Sequence, residues 1–279
     1  MGGPWSLSEP GVLDIPDVGG AAVAIVLVGG SLAVLTGQGR DARVEVSRVA
    51  GPPLAVSFDG RTLRIEHHKE ADGSLLGGLR RMLRERAYPS ADVAVTVPPD
   101  TAVRVTTVTA GVYAAGLGAR LSVTTGSGAV ATDRIAGDLD LKTGVGAIAV
   151  RRSAARRIAL VTVGGALEVD LAEPDCLLTA RGAGSLAVTA PPTGLDLTAT
   201  TRGAVLVDGR EIVPDDVQDA LSGDEAPGEP AKRADVPARH HADGDRALVV
   251  KAKLRSGAVR VDRADHVDRD DRVHPHVTP

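Results

Sequence analysis

A repeat of 18 to 19 residues runs from about Val103 to Val207 and constrains the fold more than any other feature. Each unit alternates apolar residues with other residues, reaches a threonine and a glycine turn, and then alternates again. The turn column consists of Ala110, Gly128, Gly146, Gly165, Gly184 and Gly203. Two residues later stands an aliphatic column of Val112, Val130, Ile148, Leu167, Leu186 and Val205. A fixed period of this length is the signature of a solenoid or array.

The alternation on both sides of the glycine predicts strand, turn and strand rather than helix. Before the turn, a further apolar column consists of Val103, Leu121, Leu139, Ile158 and Leu177. One short unit cannot bury its own apolar face, but stacked units bury a continuous aliphatic ladder. We therefore predict an all-β fold: a single-stranded, β-helix-like β-solenoid with 18–19-residue rungs and a strand-rich N-terminal cap. Its rungs are expected to lie about 4.7–4.9 Å apart.

Changes in pattern along the chain predict six segments. These are a strand-rich cap or irregular rungs at 12–70, a basic helical insert at 71–90, regular rungs at 91–213, a disordered acidic and proline-rich insertion at 214–245, a further rung at 246–261, and a flexible tail at 262–279. The insertion lacks the aliphatic residues that would offset the entropy of ordering. We expect the rung at 246–261 to cover the C-terminal end of the stack.

Composition narrows the classes of function. The apolar fraction of 43% supports a substantial core, and one Trp, one Phe and two Tyr leave that core aliphatic. A formal charge of −4 gives no global attraction for nucleic acid. The single cysteine, Cys176, excludes an intramolecular disulfide. Met1 to Asp17 has no basic region of the kind that opens a signal peptide, and no apolar run is long enough to span a bilayer, so the expected location is the cytoplasm.

Two turn sequences, Thr-Gly-Ser-Gly-Ala-Val at 125–130 and Thr-Gly-Val-Gly-Ala-Ile at 143–148, resemble the putative adhesin family, a widespread bacterial β-solenoid domain of unknown function. The segment from Val93 to Val105 is similar to that family as well. The resemblance covers most of 12–212 and the rung near 248–261, and it implies a right-handed β-solenoid. Family members often carry Asp directly after the turn glycine. Here that column consists of Gly111, Ala129, Ala147, Ala166, Ser185 and Ala204, so no carboxylate ladder is available for cations.

Glycine spacing also matches a loose dinucleotide-binding pattern, G-x-G-x-x-A, at 126–131, 144–149 and 182–187. That fingerprint needs a helix after the glycines, whereas strand alternation follows each match here. The matches recur at the repeat period, which indicates turns. No phosphate-binding loop, H-E-x-x-H or G-x-S-x-G sequence occurs. We predict no catalytic, cofactor-binding or metal-binding residue and no cofactor.

The remaining polar candidates are scattered. Cys176 is expected to be a small packing residue or an exposed corner. The histidines at 67–68, 240–241, 266, 274 and 276 could bind a metal adventitiously, without the four positioned ligands of a structural site.

Two groups of arginines are candidates for anionic partners. Arg80, Arg81, Arg84 and Arg86 could place the insert on an anionic membrane surface. The alternative is a short capping helix that packs its Leu and Met side chains on the stack. Arg151, Arg152, Arg156 and Arg157 form either a small patch for an anionic partner or ordinary solvated corners.

A non-enzymatic structural or interaction scaffold that binds a protein partner of unidentified kind is the leading functional hypothesis, since solenoids present long regular faces. The expected contact face carries Asp140, Lys142, Thr162 and Glu168. One alternative is a polysaccharide-acting enzyme, which needs paired carboxylates. The nearest candidates are Asp138, Asp140, Glu168 and Asp170. A second alternative is a membrane-surface or envelope-stress accessory protein.

Overall fold

The computed structural model describes residues 4–67, 89–212, 238–240 and 247–263. Within these ranges every residue lies in a strand, turn or loop and none in a helix, so the described part of the chain is all-β, as predicted. In the same ranges no helix has the length and hydropathy that crossing a membrane requires.

The strands follow one another at short intervals along the described chain. In chain order they are β1 (Trp5–Leu7), β2 (Gly11–Ile15), β3 (Ala22–Leu27), β4 (Gly29–Thr36), β5 (Ala42–Ala50), β6 (Leu54–Phe58), β7 (Thr62–His67), β8 (Ser90–Val97), β9 (Ala102–Thr107), β10 (Gly111–Ala115), β11 (Leu121–Thr125), β12 (Val130–Asp133), β13 (Leu139–Thr143), β14 (Ile148–Ser153), β15 (Arg157–Thr162), β16 (Leu167–Leu171), β17 (Leu177–Gly182), β18 (Leu186–Ala190), β19 (Gly194–Thr200), β20 (Val205–Val207), β21 (Arg210–Glu211), β22 (Ala238–His240), β23 (Ala247–Leu254) and β24 (Val259–Arg263).

These strands form two large sheets. The first sheet has the order β1-β6-β7-β3-β9-β11-β13-β15-β17-β23-β19-β22, and the second has the order β2-β5-β8-β4-β10-β12-β14-β16-β18-β24-β20-β21. From β9 to β18 the chain alternates between the sheets, and each strand pairs in parallel with the strand two positions further on. We call a strand of the first sheet together with the following strand of the second sheet a rung.

The aliphatic column after the turn is aligned as the sequence predicts. Val112 pairs with Val130, Val130 with Ile148, Ile148 with Leu167, and Leu167 with Leu186. All five side chains are buried. Because side chains alternate between the two faces of a strand, this register places every such residue between the sheets.

One predicted column contains a slip. The sequence aligns Leu177 with Ile158, but the structure pairs Ile158 with Leu178 and places Leu177 beside Arg157. Leu178 is fully buried, whereas Leu177 is partly exposed. The corner before β17 is two residues longer than the corner before β15, whereas β16 is one residue shorter than β14 and the turn after β17 is one residue shorter than the turn after β15. Counting from the glycine alone therefore shifted the strand by one position.

The β23/β24 rung lies inside the stack, so the expectation that 246–261 covers its C-terminal end is wrong. On the first sheet β23 pairs with β17 on one side and β19 on the other. On the second sheet β24 lies between β18 and β20 in the same way. Apolar alternation identifies a strand pair, but all rungs share that pattern. It therefore does not specify a position within the stack.

The N-terminal end has a related arrangement. The β3/β4 rung lies between β7/β8 and β9/β10, and it pairs in parallel with all four of those strands. Beyond β7/β8 the pairing is antiparallel. In the first sheet β6 pairs with β7 and β1 with β6, and in the second sheet β5 pairs with β8 and β2 with β5. The segment predicted as a cap or irregular rungs, 12–70, thus contains both a regular rung and antiparallel strands in its described part. At the other end β21 and β22 are also antiparallel.

A row of threonines ends the strands of the first sheet. Thr107, Thr125 and Thr143 are aligned with one another and buried. The Thr143 hydroxyl accepts a hydrogen bond from Gly146 N–H at 3.0 Å and donates one to Gly128 O at 3.2 Å. Thr143 thus satisfies backbone groups of two successive turns, whereas the hydroxyls of Thr107 and Thr125 bond Ala110 O and Gly128 N–H within their own turns.

Gly146 shows why glycine recurs at the turn. A Cβ built on Gly146 would lie 2.2 Å from the carbonyl oxygen of Gly128 in the neighbouring rung. No side chain fits at that distance, so the turns stack closely only where this position lacks a Cβ.

Three predicted segments lie wholly or mostly outside the described residues. Of the basic insert at 71–90, only the last two residues are described. Of the insertion at 214–245, only Ala238–His240 are described, and they form β22 against β19. Of the tail at 262–279, only the first two residues are described, at the end of β24.

Candidate binding groove

A shallow groove crosses the outer face of the second sheet. It has a volume of about 500 Å³ and extends over β5, β8, β4, β10 and β12, which are consecutive in that sheet. Its floor consists of small residues, namely Ala33, Ala94, Gly111, Ala129 and Ala131. Because side chains on this face are short, the backbone of the sheet is accessible from outside along the groove.

Tyr113 stands in the groove on β10, the fourth of the five strands. It pairs with Ala33 on one side and Ala131 on the other, so both cross-strand neighbours are smaller than the ring. Tyr113 is 42% exposed. An exposed aromatic ring with a polar end is a common anchor in protein interfaces, because it contributes apolar area and one hydrogen bond.

One rim of the groove is held by a network around Asp92. Its carboxylate accepts hydrogen bonds from Ser31 Oγ at 2.8 Å and from Arg48 Nε at 2.7 Å. The Arg48 guanidinium, together with the Ser31 hydroxyl, lowers the pKa of Asp92 below its ordinary value. Ser47 Oγ donates to the backbone oxygen of Asp92 at 3.3 Å, which ties β5 to β8. The rim is therefore polar and charged above an apolar floor.

A second ion pair borders the same edge. Arg43 Nε donates to Glu45 at 2.6 Å, and Glu45 is a lining residue of the groove. Both side chains are about half exposed, so the pair contributes little to stability and mainly sets the local charge.

The carboxylates considered for catalysis do not meet in this groove. Asp140 lies on β13 in the first sheet, and Glu168 lies on β16 in the second. Asp138 directly precedes β13, and Asp170 follows Glu168 on β16. Asp140 contacts Lys142 Nζ at 3.3 Å. None of these four carboxylates lines the groove.

The predicted contact face is not a single face. Asp140 and Lys142 point outward from the first sheet and Glu168 from the second. Thr162 is 1% exposed and belongs to the buried threonine row, where its hydroxyl donates to Gly144 O at 3.5 Å. The prediction of an outward Thr162 is wrong, because the residue ends its strand at the inward position that β-alternation assigns to Thr143 in the preceding rung.

Cysteine and histidine do not assemble a site in the described ranges. Cys176 is 2% exposed, and burial, with the charges of Asp175 and Asp138, raises the pKa of its thiol to about 12. It is a packing residue rather than an exposed corner. His67 is buried, its Nδ1 accepts from Val28 N–H at 3.4 Å, and burial lowers its pKa.

No group of three His, Cys, Asp or Glu suited to a metal occurs among the residues that the structure describes. His68, His241, His266, His274 and His276 fall outside those residues, as does the side chain of His240.

Of the two predicted basic clusters, only the second lies within the described residues. Arg80, Arg81, Arg84 and Arg86 lie outside the described residues. Arg151, Arg156 and Arg157 are exposed. Arg152 instead forms a bidentate ion pair with Asp133. Its Nε and a terminal nitrogen donate to the two carboxylate oxygens at 2.9 and 2.8 Å.

Sequence reasoning missed Asp133 and Asp92. Asp133 is 5% exposed and also accepts from Arg134 Nε at 3.1 Å. Arg134 and Arg152 both adopt positive φ, which turns the chain at these corners. Asp133 and Arg152 are 19 residues apart, which is one repeat. Opposite charges at this spacing were the sequence signal that could have indicated the ion pair. Asp92 and Arg48 meet through antiparallel pairing across 44 residues, for which the repeat gives no signal.

The glycine-rich stretches lie between strands. Residues 126–129 connect β11 to β12, and residues 144–147 connect β13 to β14. The first stretch takes part in backbone hydrogen bonds between neighbouring turns, such as Ser127 N–H to Val108 O at 2.9 Å. A strand follows each stretch where dinucleotide binding would require a helix.

Comparison with solved structures finds similar chains, and one of them is described by name. A crystal structure of a putative cell adhesion protein from Clostridium sporogenes aligns with 92% of this chain and 100% of its own, at 12% identity and a TM-score of 0.32. No protein-family model matches the chain. No curated protein matches it either.

Proposed function

We propose that the chain is a non-enzymatic interaction scaffold, an adhesin-like β-solenoid whose groove on the second sheet holds an extended segment of a protein partner. The observation that carries the proposal is the groove itself, with an alanine and glycine floor, an exposed Tyr113 and a charged rim at Asp92.

The dimensions of the groove suit an extended segment. It crosses five neighbouring strands, and four strand spacings of about 4.8 Å give a length of roughly 19 Å. An extended peptide rises about 3.3 Å per residue, so about six residues would fill it. Small floor residues allow the partner's apolar side chains to approach closely, and the charged rim orients its polar ones.

The solenoid form of the scaffold is supported by the strand order. Successive strands from β9 to β18 alternate between the two sheets and pair in parallel within each sheet. Paired residues of neighbouring rungs are 18 to 20 positions apart in the chain. A stack built in this way fixes the outer face from one rung to the next, because each rung is hydrogen-bonded to both neighbours. Such a rigid face costs little entropy when a partner docks.

The test is capture of a partner from extracts of the native host by immobilised wild-type chain and two arginine variants. Ala131→Arg places a long cation in the groove floor and is expected to abolish capture. Ala187→Arg makes the same change on the same outer face, beyond the groove, and is expected to leave it intact. Tyr113→Ala should weaken capture by about tenfold or more, as loss of an aromatic anchor typically does.

Two results would count against this function. If Ala131→Arg captures the same proteins as wild type with equal yield, the groove is not the contact surface. If a carbohydrate-hydrolysis screen finds turnover that Glu168→Gln or Asp140→Asn abolishes, the chain is an enzyme. Matched melting curves of all variants show that each remains folded.

A further inference from the structure

An uncompensated group of cations lies on the outer face of the first sheet, on the opposite side of the molecule from the groove. Arg181 on β17 and Lys253 on β23 are cross-strand partners, and Thr200 on β19 is the next residue in that row. Lys251 lies two residues before Lys253 on the same face. All three cationic side chains are exposed, and none forms an ion pair with any other residue that the structure describes.

Two more cations join this group from the turns. Arg202 follows β19 and Arg255 follows β23, and both are exposed and also without an ion pair in the described part of the chain. Together with Thr200, Lys253 and the chain at Leu254, they line a concavity of about 280 Å³. Three positive groups and a hydroxyl therefore border one small cleft.

The two turns that present these arginines are fixed by hydrogen bonds. Arg255 N–H donates to Gly182 O at 2.7 Å, and Thr201 Oγ1 donates to Gly257 O at 2.6 Å. The separation of Arg202 and Arg255 is thus set by stacked backbone rather than by flexible loops. Because the turns are fixed, only the side chains need to be ordered when an anion binds, which reduces the entropy lost.

Like charges opposite each other on a sheet destabilise it. At other places on the surface a carboxylate lies beside an arginine, as with Arg48 and Asp92 or Arg263 and Asp208. At Arg181 and Lys253 it does not. A ligand that supplies negative charge would remove the repulsion, and guanidinium groups match phosphate oxygens in a bidentate geometry.

We propose that this cleft, formed by Thr200, Arg202, Lys253 and Arg255, binds a phosphate group, and that Arg181 and Lys251 hold a second phosphoryl group of the same ligand. The ligand class is a compound with two or more linked phosphates, or a phosphorylated lipid headgroup of the same chemistry. The site is complete only because the β23/β24 rung lies beside β19.

The probe is inorganic triphosphate, titrated calorimetrically into the full chain. Wild type is expected to bind it, and Arg202→Gln/Arg255→Gln is expected to lower the association constant by about tenfold or more, since hydrogen bonds to charged groups are among the strong ones. The matched control is Arg64→Gln/Arg104→Gln, which removes two exposed arginines of the same sheet outside the cleft. It should bind as wild type does.

Vesicles of phosphatidylcholine with phosphatidic acid separate the two sources of phosphate. The site is assigned to a lipid headgroup if wild type floats with the vesicles, triphosphate prevents this flotation, and Arg202→Gln/Arg255→Gln does not float. Triphosphate binding without flotation assigns it to a soluble ligand. No binding in either arm overturns the proposal, and so does an equal loss in the control variant, because that would show diffuse attraction.

The melting midpoint of Lys253→Gln provides a second readout. Without triphosphate it should equal or exceed that of wild type. With triphosphate it should not show the increase expected for wild type.

Discussion

Replacing Thr143 by valine tests how the stack is held together at its turns. Valine preserves the shape of threonine and removes only the hydroxyl. Thr143 is 4% exposed, and its hydroxyl bonds Gly146 N–H at 3.0 Å and Gly128 O at 3.2 Å. Both glycines are buried in the turn, so water does not readily replace the lost partner.

The cost follows from the two backbone groups left without that partner. An unsatisfied buried polar group costs about 1–3 kcal/mol. Partial relaxation of the turn reduces the sum, and we expect Thr143→Val to lower the free energy of unfolding by about 2–4 kcal/mol. Thr143→Ser keeps the hydroxyl and should recover most of that loss.

Urea titrations of matched variants measure this difference. Thr124→Val makes the same substitution at an exposed position on β11 and should change stability by no more than about 0.5 kcal/mol. Equal effects of Thr143→Val and Thr124→Val would refute the reasoning, because burial and hydrogen bonding would then contribute nothing at the turn.

Four further outcomes are expected. Ile148→Asp buries an unpaired carboxylate in the aliphatic column and should abolish the cooperative unfolding transition in circular dichroism. Gly146→Ala should lower the melting midpoint, because its Cβ meets a carbonyl oxygen at 2.2 Å. Cys176 should react with a thiol reagent only on unfolding. Because its pKa rises to about 12 from an ordinary 9.0, stability should fall as pH increases between these values, and Cys176→Ala should flatten that fall. For His67 the pKa is lowered from 6.5, so the folded chain resists protonation and stability should fall as pH drops below about 6.5, with a shallower slope in His67→Gln.

The strand content and inner columns were predictable because alternation and repeat period are local properties of the sequence. Val112, Val130 and Ile148 are partners as the 18-residue steps indicate. The slip at Leu177 arises where a longer corner and a shorter turn compensate each other, which preserves the glycine spacing and conceals the change.

The position of the β23/β24 rung was not predictable in the same way. Its strands alternate like those of every other rung, so local pattern assigns it no particular neighbours. Its insertion depends on long-range pairing, such as that between Leu178 and Val250.

The groove and the cation cleft were also beyond the sequence patterns. Both form from residues on several strands whose lateral order is not the order of the chain. Asp92 meets Arg48 through antiparallel pairing, and Arg202 and Arg255 line the same cleft although 52 residues lie between them in the chain. Composition indicated small residues after each turn, but it did not indicate which of them would lie side by side next to Tyr113.

The inserted rung has a consequence for how the chain is made. A ribosome releases β19 and β20 before β23 and β24, and 39 residues separate Val207 from Ala247. During that interval β17 presents an open edge, and β19 carries the same alternating pattern as its true neighbour. The nascent chain must either keep that edge vacant or pair it with β19 and later exchange partners. At the N-terminal end β3/β4 receives its neighbours on both sides as they are synthesised, and no exchange is required. Synthesis from one end thus completes one end of the stack directly, while the other end waits for a late segment to enter it.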